Sequence, residues 1–414
     1  MKRIILTACS VLLLCSILFN ISGCLTVGAV DLMDGITPNS PELVDRADHS
    51  SIEVTDFAVR LLCATDEGAN TFISPMSVML ALAMTANGAA GDTKTEMEQV
   101  LGMGVDRLNE YLYGYITSLP ESEKCKLAVA NSIWFIDDEK LTVNNSFLQK
   151  NADYYGAEIY KAPFDNRTLW DINSWVRRET NGMIPKILDI IPAEAIMYLI
   201  NTIAFEGEWE EIYKKQQVRD GVFTSVDGTR RTVDFMYSTE SRYISDDMAS
   251  GFMKYYDGGK YAFVGILPNE DVSLDDYLDS LSGDRLNNLL SSARWSSVRA
   301  AIPRFKTEYE IEMSGILSEM GMPTAFNESL ADFSVLGEYE GLNIFIGNVI
   351  HKTYIEVAER GTKAGAVTVV EMDKNAAMQP DEPKTVYLDR PFIYMIIDAE
   401  NNLPLFVGAM RDVK

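Results

Sequence analysis

Apolar residues recur with helical spacing through the first third of the chain. Val54, Phe57, Ala58, Leu61 and Leu62 form one stripe, and the patterns over Ser77–Ala86, Thr93–Leu101 and Val105–Ser118 predict three further helices. Trp170–Thr180 reads the same way, with Ile172, Trp175 and Val176 on one face and Gly182 suited to its end. Later the period shortens. Lys126–Phe135, Met197–Phe205, Tyr261–Leu267, Ser297–Phe305, Asn348–Val357 and Tyr387–Asp398 are rich in Val, Ile, Tyr and Phe and predict strands. Leu403–Ala409 predicts the last strand, joined to its predecessor through Glu400-Asn401-Asn402. No repeat and no linker divides this stretch, so the pattern predicts one α+β domain over 53–414 with mainly mixed or antiparallel sheets.

The first residues follow another logic. Lys2 and Arg3 precede a mostly apolar run, Ile4 to Ile21, closed by Ile21-Ser22-Gly23-Cys24. A basic start, an apolar run and small residues before a cut site predict a signal peptide over 1–23 and therefore export. The ending resembles a bacterial lipoprotein signal, in which Cys24 would become the lipidated first residue. A plain secretory signal or an uncleaved anchor are the other readings. The expected location is extracellular or at the cell envelope, with a membrane reached only through lipid on Cys24. Residues 24–52 are rich in Asp, Pro, Ser and Gly without periodicity and predict a flexible tether.

Charge narrows the partners. The chain of 414 residues carries 61 acidic and 36 basic side chains, a formal net charge of −25, and no Lys/Arg block. Such a surface repels nucleic acid and anionic lipid. Of the five cysteines, Cys9 and Cys15 leave with the signal and Cys24 takes lipid, so Cys63 and Cys125 remain, too far apart in sequence to suggest a metal site. Cys63 lies on the apolar side of a helix pattern and is expected to be a small core residue. No cofactor is implied. A hydrolase would need a nucleophile, a base and an orienting acid. The two histidines are His49, in the tether, and His351, in mid-strand, and no Gly-x-Ser-x-Gly elbow is present.

One stretch does not fit a compact core. Gly361 to Pro383 begins with small residues and passes through Glu371, Asp373 and Lys374 to Asn375-Ala376-Ala377-Met378-Gln379-Pro380-Asp381-Glu382-Pro383. It lies between two strong strands, and long loops of this kind inside domains are usually functional.

At this point the chain resembles a serpin, from Glu53 to Val413. Asn70-Thr71-Phe72-Ile73-Ser74-Pro75-Met76-Ser77 is similar to the family's lead-in to an early central helix, and Asn201-Thr202-Ile203-Ala204-Phe205-Glu206-Gly207-Glu208-Trp209 to its strand-to-turn signature. Ile302-Pro303-Arg304-Phe305, Leu317 to Phe326, and Ala331-Asp332-Phe333-Ser334 follow in the family's order. His351-Lys352 to Thr368 resembles the hinge, and Asp389-Arg390-Pro391-Phe392 with Leu405-Phe406-Val407-Gly408 closes the domain.

The resemblance implies a metastable fold with a large central sheet, two smaller sheets, about nine helices and an exposed reactive loop over about 359–386. It implies an irreversible inhibitor, not an enzyme. A serine protease cuts the loop and forms an acyl-enzyme; the freed loop then enters the central sheet as a new strand and the attached protease is distorted. By the same resemblance Ser74, Ser77, Asn201 and His351 form a polar gate beneath the central strands. Trp209 marks where the loop first enters, and Glu359, Gly361, Thr362, Ala364, Ala366 and Thr368 form the hinge. The expected partner is a trypsin-like, elastase-like or subtilisin-like enzyme, or a cysteine protease, met by a monomer. The rival within the family is a non-inhibitory binding or chaperone-like protein.

The loop has the chemistry for insertion. Alternate residues of a strand face opposite sides. Thr362, Ala364, Ala366, Thr368, Val370 and Met372 would share one face, small and then apolar; Lys363, Gly365, Val367, Val369, Glu371 and Asp373 would share the other, with every charge. On the order of ten new ladder bonds at roughly 0.5–1.5 kcal/mol each give about 5–15 kcal/mol. Sixteen extended residues span about 50 Å, enough to carry a protease along the sheet. The chain departs from the family at Arg360 and Lys363, where acids are frequent, at Ala358, where Asn is frequent, and in a longer stretch between Glu359 and Pro391. Counting 17 residues along from Glu359, as the family does, selects the Asn375-Ala376 bond. Lys374-Asn375 would suit a trypsin-like enzyme, Ala376 or Ala377 an elastase-like or subtilisin-like one, and Met378 a chymotrypsin-like one.

Overall fold

The computed structural model describes residues 28–42, 50–120, 122–191, 196–362 and 382–413, and at 50–51 and 201–202 the backbone alone. Cys24 and the loop positions Lys363 to Asp381, among them Ala364, Ala366, Thr368, Lys374, Asn375, Ala376, Ala377 and Met378, lie outside the described residues. The described residues hold nine α-helices and three sheets of mixed α+β character. None of these helices is long and apolar enough to cross a membrane.

A seven-stranded sheet forms the centre, in the order β1 (Val30–Asp31), β5 (Glu158–Ala162), β3 (Cys125–Ile136), β6 (Met197–Glu208), β15 (Gly361–Thr362), β14 (Asn348–Ala358) and β12 (Phe305–Glu312). A second sheet runs β16 (Lys384–Tyr387), β11 (Arg294–Pro303), β8 (Arg230–Ser245), β9 (Ala249–Tyr255), β10 (Tyr261–Pro268), β17 (Phe392–Asp398), β18 (Leu403–Met410) and β2 (Thr71–Ile73), with β7 (Val218–Thr224) beside β8. β4 (Leu141–Val143) and β13 (Gly337–Tyr339) make a small third sheet. The expectation of two smaller sheets beside a large one needs adjusting. β8 is 16 residues long; it pairs with β7 and β11 along most of its length and with β9 at its far end, so two sheets are fused into one of nine strands.

The helix Pro75–Ala86 runs through the middle, and all 12 of its residues are buried. Its sequence is Met-, Leu- and Ala-rich and carries no charge, which suits a helix buried on every side. Pro75 occupies its first turn and Ser74 caps it, the Ser74 side chain accepting from the Ser77 N–H.

Three expectations are corrected. Residues 28–42 do not hang free as a tether: Val30 and Asp31 pair with Lys161 and Tyr160 at the sheet edge, and Asn39 donates its backbone N–H to Asp153 at 2.7 Å. Cys63 is exposed, because it sits two residues beyond Leu61 and so faces away from the apolar stripe. The Tyr387–Asp398 run is two strands, β16 and β17, which enter different places in the sheet and are separated at Leu388–Pro391. Pro391 at the break lacks a ladder donor.

Candidate functional site

The central pair β6 and β14 is joined unevenly. At one end they run parallel, Asn348 beside Tyr198 and Val349 beside Leu199. At the other end β15 stands between them, antiparallel to both: Thr362 pairs with Val357 and with Gly207, and Gly361 with Ala358 and Glu208. Among the described residues no ladder joins Ile200–Glu206 to Ile350–Glu356. The start of the predicted hinge is therefore already a strand, and a seam lies ahead of it.

Gly361 makes this entry possible. Its φ is +151°, and a Cβ there would lie 1.9 Å from the Gly207 carbonyl oxygen, so the tight passage admits no side chain. Thr362 follows, buried, with its hydroxyl 2.6 Å from the Tyr256 hydroxyl. Tyr256 stacks on Trp209 with centroids 4.4 Å apart. The Trp209 indole N–H donates to the Ala358 carbonyl at 2.9 Å, and its backbone N–H to Arg360 at 2.8 Å. Trp209 thus holds the end of β14 and the residue before β15 together.

Charges brace the turn before Gly361. Glu359 faces Arg304 at 3.5 Å, and Arg360 meets Glu208 at 2.9 Å. Arg360, a departure from the family pattern, has an acidic partner on the facing strand. Beneath them Lys254 is buried against Glu240 at 3.0 Å and lies 4.5 Å from the Tyr213 ring centroid. Burial alone would lower the Lys254 ammonium, but Tyr213 and Glu240 outweigh it and hold it above its ordinary value. Tyr256, Tyr213, Lys254 and Glu240 were not legible as site residues, since only the sheet pairing brings them under the hinge.

Of the four residues assigned to the gate, the structure joins His351 and Ser74 by a hydrogen bond. His351 is buried in β14, and its Nε2 accepts the Ser74 backbone N–H at 3.0 Å. That bond assigns the neutral ring its proton on Nδ1. Burial lowers the His351 pKa to about 4. The Ser74 hydroxyl donates to the Leu405 carbonyl at 2.8 Å, tying this residue to β18. Ser77 is buried one turn along the helix. Asn201 pairs through its backbone with Asn131, and its side chain lies outside the description. Next to His351 on the same face, the Thr353 hydroxyl donates to Phe72.

Among the described residues no group of three or more His, Cys, Asp or Glu is placed to hold a metal ion.

The chain matches the family model "Serpin (serine protease inhibitor)" over residues 53–413. An uncharacterized serpin-like protein of Thermococcus kodakarensis is 32% identical over 353 residues, covering 83% of this chain and 81% of that protein. The crystal structure of the thermophilic serpin tengpin in its native state is similar with a TM-score of 0.88 and 46% identity, covering 94% of this chain and 100% of that one. In its latent state tengpin gives a TM-score of 0.79, covering 89% and 100%. Thyroxine-binding globulin, solved in complex with thyroxine, gives 0.76 at 25% identity, covering 88% and 99%.

Proposed function

This chain belongs to the serpin family, described as serine protease inhibitors, and from that premise we propose that it is an irreversible suicide-substrate inhibitor of a serine endopeptidase and not a catalyst. Cleavage between Lys374 and Met378, with Asn375-Ala376 the bond the spacing selects, leaves an acyl-enzyme. The loop behind it then continues β15 down the seam.

One observation carries this reading: three strand pairings share a single register. Thr362 lies beside Val357 and Gly207, and Val349 lies beside Leu199. Extending β15 residue by residue from Thr362 brings Thr368 beside His351 and Asn201, and Val370 beside Val349 and Leu199, where the parallel pairing begins. The burial of β14 alternates, with Val349, His351, Thr353, Ile355 and Val357 inside. The inserted residues on that side would be Thr362, Ala364, Ala366, Thr368 and Val370, small near the entry, polar beside the histidine and apolar where β6 and β14 pair directly. A charge at Ala364 would be buried beside Ile355, at a cost of several kcal/mol.

We further propose that the chain is exported, is held at the envelope through lipid on Cys24, and acts as a monomer. Trypsin-like, elastase-like and subtilisin-like enzymes form the test panel. An adduct that survives SDS, with the C-terminal fragment weighed by mass spectrometry, gives both mechanism and bond. A cut outside Asp373–Met378 defeats the placement, and turnover of every enzyme without an adduct defeats the mechanism. The second reading is a binding protein, a role one fold neighbour has for thyroxine by its name; it predicts no adduct with any enzyme.

A further inference from the structure

In a chain with 61 acidic and 36 basic residues, the segment 294–306 holds Arg294, Arg299, Arg304 and Lys306 and no acid. The sheet sorts these charges. Thr385, Arg299 and Thr239 stand directly opposite one another across β16, β11 and β8, and all three are exposed. Two residues along, on the same face, Tyr387 and Tyr237 flank Ala301 and meet edge to face at 5.7 Å over it. Arg219 of β7 lies over the Tyr237 ring at 4.0 Å. The acids of these strands, Asp220, Asp234 and Glu240, fall at the alternate positions and face the other way. Among the described residues neither Arg219 nor Arg299 has a carboxylate partner. The result, among the described residues, is an open face of two tyrosines flanked by two guanidiniums without a carboxylate partner.

Its place matters as much as its chemistry. β16 is the first strand after the reactive loop. Thr385 is seven residues beyond Met378, at most about 25 Å of chain, and ten beyond Asn375, at most about 36 Å. A protease domain of ordinary size has a radius of gyration of about 17 Å. An enzyme with its active site on the loop is therefore within reach of this face.

We propose that the Arg219–Tyr237–Tyr387–Arg299 face is a second docking surface for the target protease and selects enzymes whose active-site rim is acidic. This rests on the inhibitory reading for its partner but not on loop insertion. Guanidiniums beside aromatic rings recognise carboxylates and pack against flat surface, and an unpaired charge at an interface acts mainly on association rate.

The probes are anionic and cationic trypsin, which share a primary specificity and differ in surface charge, each also as an inactive Ser→Ala enzyme. The inhibitor carries Asn375→Arg throughout, so that both enzymes accept the loop. Arg219→Glu combined with Arg299→Glu should slow association with anionic trypsin roughly tenfold at low ionic strength, and the difference should shrink at high salt. With cationic trypsin the same variant should associate no more slowly than the parent. Arg177→Glu with Lys186→Glu, two exposed residues elsewhere with the same change in net charge, is the control and should leave the rate unaltered. Equal rates for parent and face variant with inactive anionic trypsin overturn the proposal, as does an equal loss in the control. Binding to inactive enzymes needs no acyl chemistry. Normal face-dependent binding without any covalent adduct would instead sink the inhibitory mechanism and leave the docking face standing.

Discussion

The register of the seam assigns Lys363 a specific fate. One step beyond Thr362, it would lie between Glu356 of β14 and Glu206 of β6, both half-buried and on the outer side of the sheet. Lys363→Glu turns two attractive cross-strand pairs into two repulsive ones. Such pairs are worth about 0.2–1 kcal/mol each, so reversing both should cost the inserted form about 1–4 kcal/mol. For a domain spanning residues 53–413, an unfolding entropy of about 2.1 cal/mol/K per residue converts this to a melting point roughly 1–5 °C lower. The assay is calorimetry of loop-cleaved protein, parent against variant, with intact protein as reference. Adding Glu206→Lys should restore part of the loss, because it removes one of the two repulsions. Cleaved Lys363→Glu protein that melts with the parent, or a loss that Glu206→Lys does not relieve, would refute this register.

Three other outcomes follow from the same geometry. Thr362→Arg or Ala364→Arg should convert the inhibitor into a substrate, read as turnover of the loop without adduct, since residue 362 is already buried at the entry and residue 364 must be buried for the loop to pass it; an unchanged adduct yield removes insertion from the mechanism. Gly361→Ala places a Cβ against the Gly207 carbonyl and should expel β15, exposing Trp209 and shifting its fluorescence to longer wavelength; an unmoved spectrum contradicts the tight passage. His351, held at a pKa of about 4 against an ordinary 6.5, binds fewer protons folded than unfolded. Its contribution is complete above about pH 6.5 and is lost as pH falls toward 4, up to about 3 kcal/mol. His351→Gln should lose that part of the pH dependence of the urea midpoint, and parallel curves would show that another group titrates.

Much of this was readable along the chain because the signals are local. The alternation in Asn348–Ala358 is the burial pattern itself, and the uncharged stretch behind Ser74-Pro75 becomes the buried central helix. What escaped depends on partners distant in sequence. Thr362 opposite Tyr256, Arg360 opposite Glu208 and Lys254 under Tyr213 are set by sheet order, which periodicity does not encode. The edge pairing of Val30–Asp31 escaped because two residues among Asp, Gly and Pro carry no strand signal. Cys63 was misplaced because it was set on the apolar side of its helix, whereas it lies beyond the stripe ending at Leu61 and Leu62 and is exposed.

The most direct test is the melting temperature before and after a single cut between Asp373 and Met378. An inserted strand worth about 5–15 kcal/mol should raise it by roughly 7–20 °C in a domain of this size. A clipped protein that melts where the intact one does would mean that the loop gains nothing by entering the sheet.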